Sequence, residues 1–203
     1  MNPSVEEQDT LRLVVRVFTR GGDTIPGAAV RLAVLDTAGY LAIDSADQAV
    51  IGRKASPSAR VVAISGNLRS NPLAIRVLAA ADSVRASSAT IDTLAPADTA
   101  SAPLAVTLLD LHTVVGQASP LAGRPVTFTI VDPAFGSPGV ATAVLTNDSL
   151  VQTATTAAGG SASVTVKRKG AVQPDSVVVL ARALRATGSV IAGSPVRFVV
   201  RFQ

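Results

Sequence analysis

Residues Ile25–Asp36 read IPGAAVRLAVLD, and Leu121–Asp132, 96 positions later, read LAGRPVTFTIVD. Gly27 matches Gly123, Val30 matches Val126 and Asp36 matches Asp132, with apolar residues at matching places between them. A β-type segment that recurs after about a hundred residues has the period of one sandwich-sized module used twice. The 203 residues are therefore expected to form two domains, 1–95 and 96–203, each long enough to bury a modest core.

Composition points the same way. Glu occurs only at Glu6 and Glu7, and Lys only at Lys54, Lys167 and Lys169, so amphipathic surface helices are hard to build. Against this stand 29 Val and 18 Thr, β-branched residues that suit a pleated, half-buried surface. The expected fold class is all-β: two tandem antiparallel β-sandwiches. With no Cys, disulfides and thiolate chemistry are excluded, although this does not decide the compartment. The opening MNPSVEEQDT has neither the basic start nor the apolar stretch of a signal peptide. Either the chain is cytoplasmic, or an export signal was removed, replaced or not recognised in this numbering. The apolar run Val177–Ala181 stops at Arg182, far short of the ~20 residues of a spanning helix. The net charge of +4 permits contact with an anionic surface without requiring it.

Along the chain, Leu11–Phe18 (LRLVVRVF) is the first strong strand. Leu11, Leu13, Val15 and Val17 share its inner face, and Arg12 and Arg16 lie outside. In the repeated strand Val30, Leu32 and Val34 point inward. Tyr40–Lys54 reads as loop or edge, and further strands are expected at Arg60–Ile64, Pro72–Ala80 and Ser83–Ile91, the last closing the first module. Leu94–Pro103, LAPADTASAP, reads as an extended linker. The second module opens with Leu104, Val106 and Leu108 inward, then Val126, Phe128 and Ile130. Ala162, Val164 and Val166 follow Gly159-Gly160, and Val196, Phe198, Val200 and Phe202 close the chain. Asn71-Pro72 with IRVLA is matched to Gln173-Pro174 with VVVLA.

These pieces carry a resemblance. The opening strand, AGRPVTFTI (Ala122–Ile130), TTAAGGSASVTV (Thr155–Val166) and SVVVLARA (Ser176–Ala183) resemble the bacterial immunoglobulin-like domains found in tandem in invasin- and intimin-type surface proteins. The first module matches at PGAAVRLAV (Pro26–Val34) and departs where the Gly-containing turn should lie, since Ser56-Pro57-Ser58-Ala59 stands there. The resemblance implies a non-catalytic structural or adhesion protein, extracytoplasmic and peripheral, that binds a protein partner through its surface and loops. An alternative is an extrinsic accessory subunit on the outer, periplasmic face of a membrane complex such as a respiratory or photosynthetic assembly.

Site chemistry is sparse. His112 is the only His, and no His, Cys or Glu stands near it in the second module to complete a metal set or a triad, so it reads as a solvated loop residue. Neither Gly-Gly pair lies in a nucleophile elbow or phosphate loop. Asp36, Asp44 and Asp47 could offer calcium some oxygens but lack the spacing of a calcium loop, and a surface loop explains them. No enzyme activity, metal or cofactor is expected. Lys167-Arg168-Lys169 is the one dense charge cluster, either a solvated turn that discourages sheet pairing or a contact for phosphate, lipid headgroups or an acidic protein face. Phe18 is in the outward register of its strand, and Phe135 is in the turn-rich Asp132–Gly139. Each either folds over a sandwich end or anchors an interface. Phe18, Phe135, Lys167, Arg168 and Lys169 are thus the candidate partner contacts. The few aromatic residues fall mostly on inward faces, which argues against nucleic acid as a partner.

Overall fold

A computed structural model describes residues 2–114, 117–134, 143–169 and 174–203. Among these residues every helix-free stretch of regular structure is β-strand, as the Val- and Thr-rich, Glu- and Lys-poor composition requires. The chain separates into two compact units, Met1–Ala80 and Ala81–Gln203.

The first unit contains β1 (Ser4–Glu6), β2 (Thr10–Arg12), β3 (Arg31–Val34), β4 (Leu41–Asp44), β5 (Ala49–Gly52), β6 (Ser56–Ser65), β7 (Leu68–Arg69) and β8 (Leu73–Leu78). One sheet runs β1-β8-β6-β3 with β7 on β6, and the other runs β2-β5-β4. Their inner faces supply a core of Val5, Leu32, Leu41, Val50, Ala59, Val61, Ile75 and Val77. β1 pairs parallel with the last strand, β8, while every other ladder in the unit is antiparallel.

The second unit repeats this plan in β9 (Ser83–Ala86), β10 (Ile91–Leu94), β11 (Leu104–Val114), β12 (Gln117–Pro120), β13 (Pro125–Asp132) and β14 (Ala143–Leu145). It continues through β15 (Val151–Thr155), β16 (Ser161–Val164), β17 (Val166–Arg168), β18 (Ser176–Ala183) and β19 (Val196–Phe202). One sheet runs β10-β19-β18-β13-β15, with β10 parallel to β19 as β1 is to β8. The other runs β12-β11-β16, with β9 on β11, and β14 pairs with β17. Phe128 and Phe198, expected inward, are fully buried with Val106, Leu108, Val179 and Val200. Two antiparallel sheets with a parallel first-to-last pairing, present in both units, make each an immunoglobulin-like sandwich.

Ladder partners correct several expectations. Ser83–Ile91 does not close the first module. Ser83–Ala86 pairs with β11, and Ile91–Leu94 crosses to the opposite sheet and pairs with β19, so the stretch opens the second unit. The expected linker Leu94–Pro103 lies inside that unit. Ala102 N–H donates to Asp92 Oδ2 (2.8 Å) and Ser101 N–H to Val166 O (2.8 Å). The division at 95/96 is thereby displaced to 80/81. The counterpart of Asn71-Pro72 is Ser194-Pro195, because β8 and β19 are the strands with parallel partners, and β18 corresponds to β6. Tyr40–Lys54, expected as loop or edge, contains the β4–β5 hairpin, with Ala49 and Val50 buried. In the stretch Leu11–Phe18 the ladder covers only Thr10–Arg12, although inward and outward residues alternate through Phe18. His112 lies within β11, not in a loop.

The Gly-containing turn of the second unit does have a counterpart. Leu108 N–H donates to Gly160 O, and Leu13 N–H, 95 positions earlier, donates to Gln48 O. Gly160 (φ 70°) and Gln48 (φ 49°) both adopt the left-handed conformation that turns the chain into β16 and β5. Ser56–Ala59, where the turn was sought, starts β6. The two sites differ in space: a Cβ on Gly160 would stand 2.8 Å from Leu108 O and Leu121 N. Gly160→Ala should therefore lower the unfolding free energy of the second unit by about 2–3 kcal/mol, through backbone strain plus collision. Gln48→Gly should stay within about 1 kcal/mol of the parent. Urea titration of each variant measures both.

Candidate functional site

After Arg12 the chain continues extended but leaves the ladder, because β5 ends its pairing at Ala49 opposite Arg12. Leu13, Val15 and Val17 remain half-buried against β3 and β6, whereas Val14 is 87% and Phe18 52% exposed. This segment closes poorly on the facing sheet. A cleft of about 300 Å³ opens between Val15–Phe18 and the β6–β7 hairpin, and one of about 230 Å³ between Leu13–Arg16 and Val61–Ala63. They share Val15, Arg16, Ala63 and Ser70, so they form one apolar groove. Leu68, 65% exposed, and Leu73, 39% exposed, stand along it, and Arg16 and Arg69 supply its positive charge. Exposed apolar side chains gathered around a concavity are the surface feature that most often marks a binding site.

Of the residues singled out in the sequence, Phe18 lines this groove. Phe135 lies outside the described residues. The basic cluster is not a single feature. Lys167 Nζ donates to Thr146 O (2.6 Å) and lies 3.6 Å from Asp148, and Lys169 is exposed. Arg168 turns into its own unit, donating from Nη2 to Leu94 O (3.0 Å), Ala95 O (3.0 Å) and Gln203 O (3.1 Å), and from Nε to Asp98 O (3.1 Å). Its guanidinium also covers the Phe202 ring at 5.2 Å from the centroid. These bonds fasten the loop once read as a linker, so Arg168 is a clamp of the fold. The residues that line the groove include none of the basic cluster.

The carboxylates are occupied locally. Asp36 binds the Arg60 backbone N–H and lies 3.2 Å from its guanidinium, Asp44 accepts the N–H of Ala46 (3.1 Å), and Asp47 pairs with Arg12 (3.0 Å). Among the described residues no three His, Cys, Asp or Glu side chains group as a metal site would need. A cleft of about 330 Å³ lies beside Arg182 and Arg185 in the second unit, where Arg185 is tied to Asp82 (2.8 Å). Among the described residues no helix is long and apolar enough to cross a membrane. Sequence reasoning missed Leu13–Arg16, Leu68 and Leu73 as groove residues, since a strand left unpaired reads like any other.

Comparison with protein families and with curated proteins returned no match. Among solved structures, the chain aligns over its whole length with the Yersinia pseudotuberculosis adhesin InvE (16% identity, TM-score 0.42), spanning 56% of that chain. It also aligns over its whole length with the fibronectin(III)-like modules of Clostridium thermocellum CbhA (11% identity, TM-score 0.39), spanning 90% of that chain. With the S. aureus collagen adhesin CNA, 98% of this chain aligns with 89% of the other, at 12% identity and a TM-score of 0.28. Bacterial adhesin and fibronectin-type modules are therefore among the structures this chain is similar to, and none of them carries a site residue over.

The Arg168 geometry makes its own forecast. Truncation in Arg168→Ala leaves four carbonyls short of a charged donor and should cost about 2–4 kcal/mol. Arg168→Lys should recover little, since an ammonium cannot reproduce the planar fork. Lys169→Ala should change stability by less than about 0.5 kcal/mol. Thermal unfolding of the three variants decides it.

Proposed function

We propose that this chain is a non-catalytic binding module of the structural or adhesion type, working outside the cytoplasm and holding a protein partner through the groove of its first unit. The observation that carries the reading is the gathering of Val14, Phe18, Leu68 and Leu73 around one concavity. Each such side chain contributes on the order of 1–3 kcal/mol when fully withdrawn from water, enough in combination to hold a partner. The role is a matter of touch: two sandwiches present a surface to a partner. Phe135, outside the described residues, and the exposed Lys169 extend the proposed contact set.

A photo-crosslinking side chain placed at position 18 in native cells tests the reading, with position 197, exposed on β19, as control. One defined protein captured from position 18 and not from 197 is the expected outcome. Indistinguishable capture at the two positions would remove Phe18 and the groove from the contact. Should the captured protein belong to an integral membrane complex, the accessory-subunit form of the reading gains over the adhesin form. Phe18→Ser should weaken the captured complex at least tenfold while leaving the unfolding midpoint unchanged, because the ring is already half in solvent.

A further inference from the structure

In the second unit the sheet β10-β19-β18-β13-β15 ends in a strand of unlike composition. Most strands that end a sheet carry a charge or a proline: Glu6 in β1, Arg12 in β2, Arg31 in β3, Asp44 in β4, Asp92 in β10 and Pro120 in β12. Such residues blunt an edge against stray pairing. β15, VQTAT, has neither, and among the described residues it is the longest sheet-ending strand that lacks both. Among those residues no strand lies beyond it, and Thr153 and Thr155 are exposed.

The ladder fixes which backbone groups face the open side. Ile130 N–H donates to Leu150 O (2.9 Å) and Thr156 N–H to Arg124 O (2.8 Å), so the even-numbered residues of this stretch bond to β13. Thr127 and Thr153, paired between those bonds, agree: their hydroxyls lie 3.1 Å apart, the close side-chain approach of a non-hydrogen-bonded pair. Val151, Thr153 and Thr155 therefore direct their N–H and C=O groups outward. The turn before the strand already uses those of Val151, where Ser149 Oγ accepts the N–H (3.3 Å) and Asn147 Nδ2 donates to the C=O (3.2 Å). The main-chain groups of Thr153 and Thr155 are left, at successive outward positions, with no partner among the described residues.

We infer that β15 is a self-pairing edge, and that it takes β15 of a second copy of this chain, antiparallel about a two-fold axis at Ala154. Register chooses the axis. Centred on Ala154, Thr153 of each copy faces Thr155 of the other, and each such pair exchanges both its main-chain bonds, so every open group is used. Centred on Thr153, the pairing sets Thr155 against Val151, whose groups are already taken. Charge allows the same match. Val151–Ala157 contains no charged residue, so no like charges meet across the axis. A threonine pair across strands is one this sheet already makes between Thr127 and Thr153. An acidic or basic strand from another protein finds no counter-charge in β15, which favours the copy. The two five-stranded sheets then run on as one, by strand addition at an open edge.

Sedimentation of the full chain is the first measurement. Its mass should rise from monomer toward dimer between about 10 µM and 1 mM, the range of a small, transient contact. Thr155→Pro should weaken the dimer about tenfold or more and leave the unfolding midpoint unchanged, because the N–H it removes points away from β13. Thr153→Lys, which sets like charges beside the axis, should weaken it about as much, and added salt should restore part of the loss. Crosslinking reads the register. The chain has no Cys, so Ala154→Cys carries a single thiol. At a non-hydrogen-bonded antiparallel pair the Cα atoms stand about 4.5 Å apart, within reach of a disulfide. Mild oxidation should link Ala154→Cys into covalent dimers, while Ser163→Cys, exposed on β16, should give none. A monomer at about 1 mM, a dimer indifferent to both Thr155→Pro and Thr153→Lys, or equal linking at the two positions overturns the pairing. A monomer whose position 153 crosslinks to another protein in native cells would overturn the copy in favour of a partner strand. None of these results bears on the groove of the first unit.

Discussion

A sandwich has two open sides, and its stability turns on how the first strand closes one of them. The outermost strand on each sheet carries a row of backbone donors and acceptors that need either water or a partner. In the second unit a single stretch, Ser83–Leu94, meets that need for both sheets by pairing first with β11 and then with β19. The approach is close enough that a Cβ on Gly193 would stand 2.2 Å from Val84 O. In the first unit β1 provides only the second half of this closure, alongside β8.

Small side chains sharpen the effect. Ala49, Ala59, Ala143, Ala162 and Ala181 are all essentially buried, so the cores rest on close backbone approach more than on bulky aromatic packing. The few large residues, Phe128 and Phe198 among them, are concentrated in the second unit. In a core of this type, small and stiff Val and Ala side chains cannot lean in to fill a gap between the sheets. The gap therefore persists as the groove beside Leu13 and Val15.

Much of this architecture was legible in the sequence and some was not, for definite reasons. Period-two alternation identified the faces of Leu104–Leu108, Val126–Ile130 and Val196–Phe202, because those strands are half-buried and long enough to show it. Strand ownership was illegible. Ser83–Ile91 is a good strand wherever it is placed, and only its pairing with Val106–Leu109 assigns it to the second unit. The Pro- and Ala-rich Leu94–Pro103 has the composition of a linker, yet Arg168 and Asp92 hold it in place from a distance in sequence that no local pattern reveals. The left-handed turn at Gln48 was missed because only glycine advertises that conformation.

Arg168 shows where a signal was present and unread. Val166 is buried, so alternation along β17 puts residue 168 on the same side as residue 166 and residue 167 on the other. Charge density suggested a patch, whereas register distinguished three unlike neighbours: a lysine on Thr146, an arginine threaded among four carbonyls, and an exposed lysine. The same logic applied to Leu11–Phe18 places Val14 and Phe18 with Arg12 and Arg16 on the outside. Charged residues on an edge discourage indiscriminate pairing, and Arg12 and Arg16 stand on the exposed side of this segment.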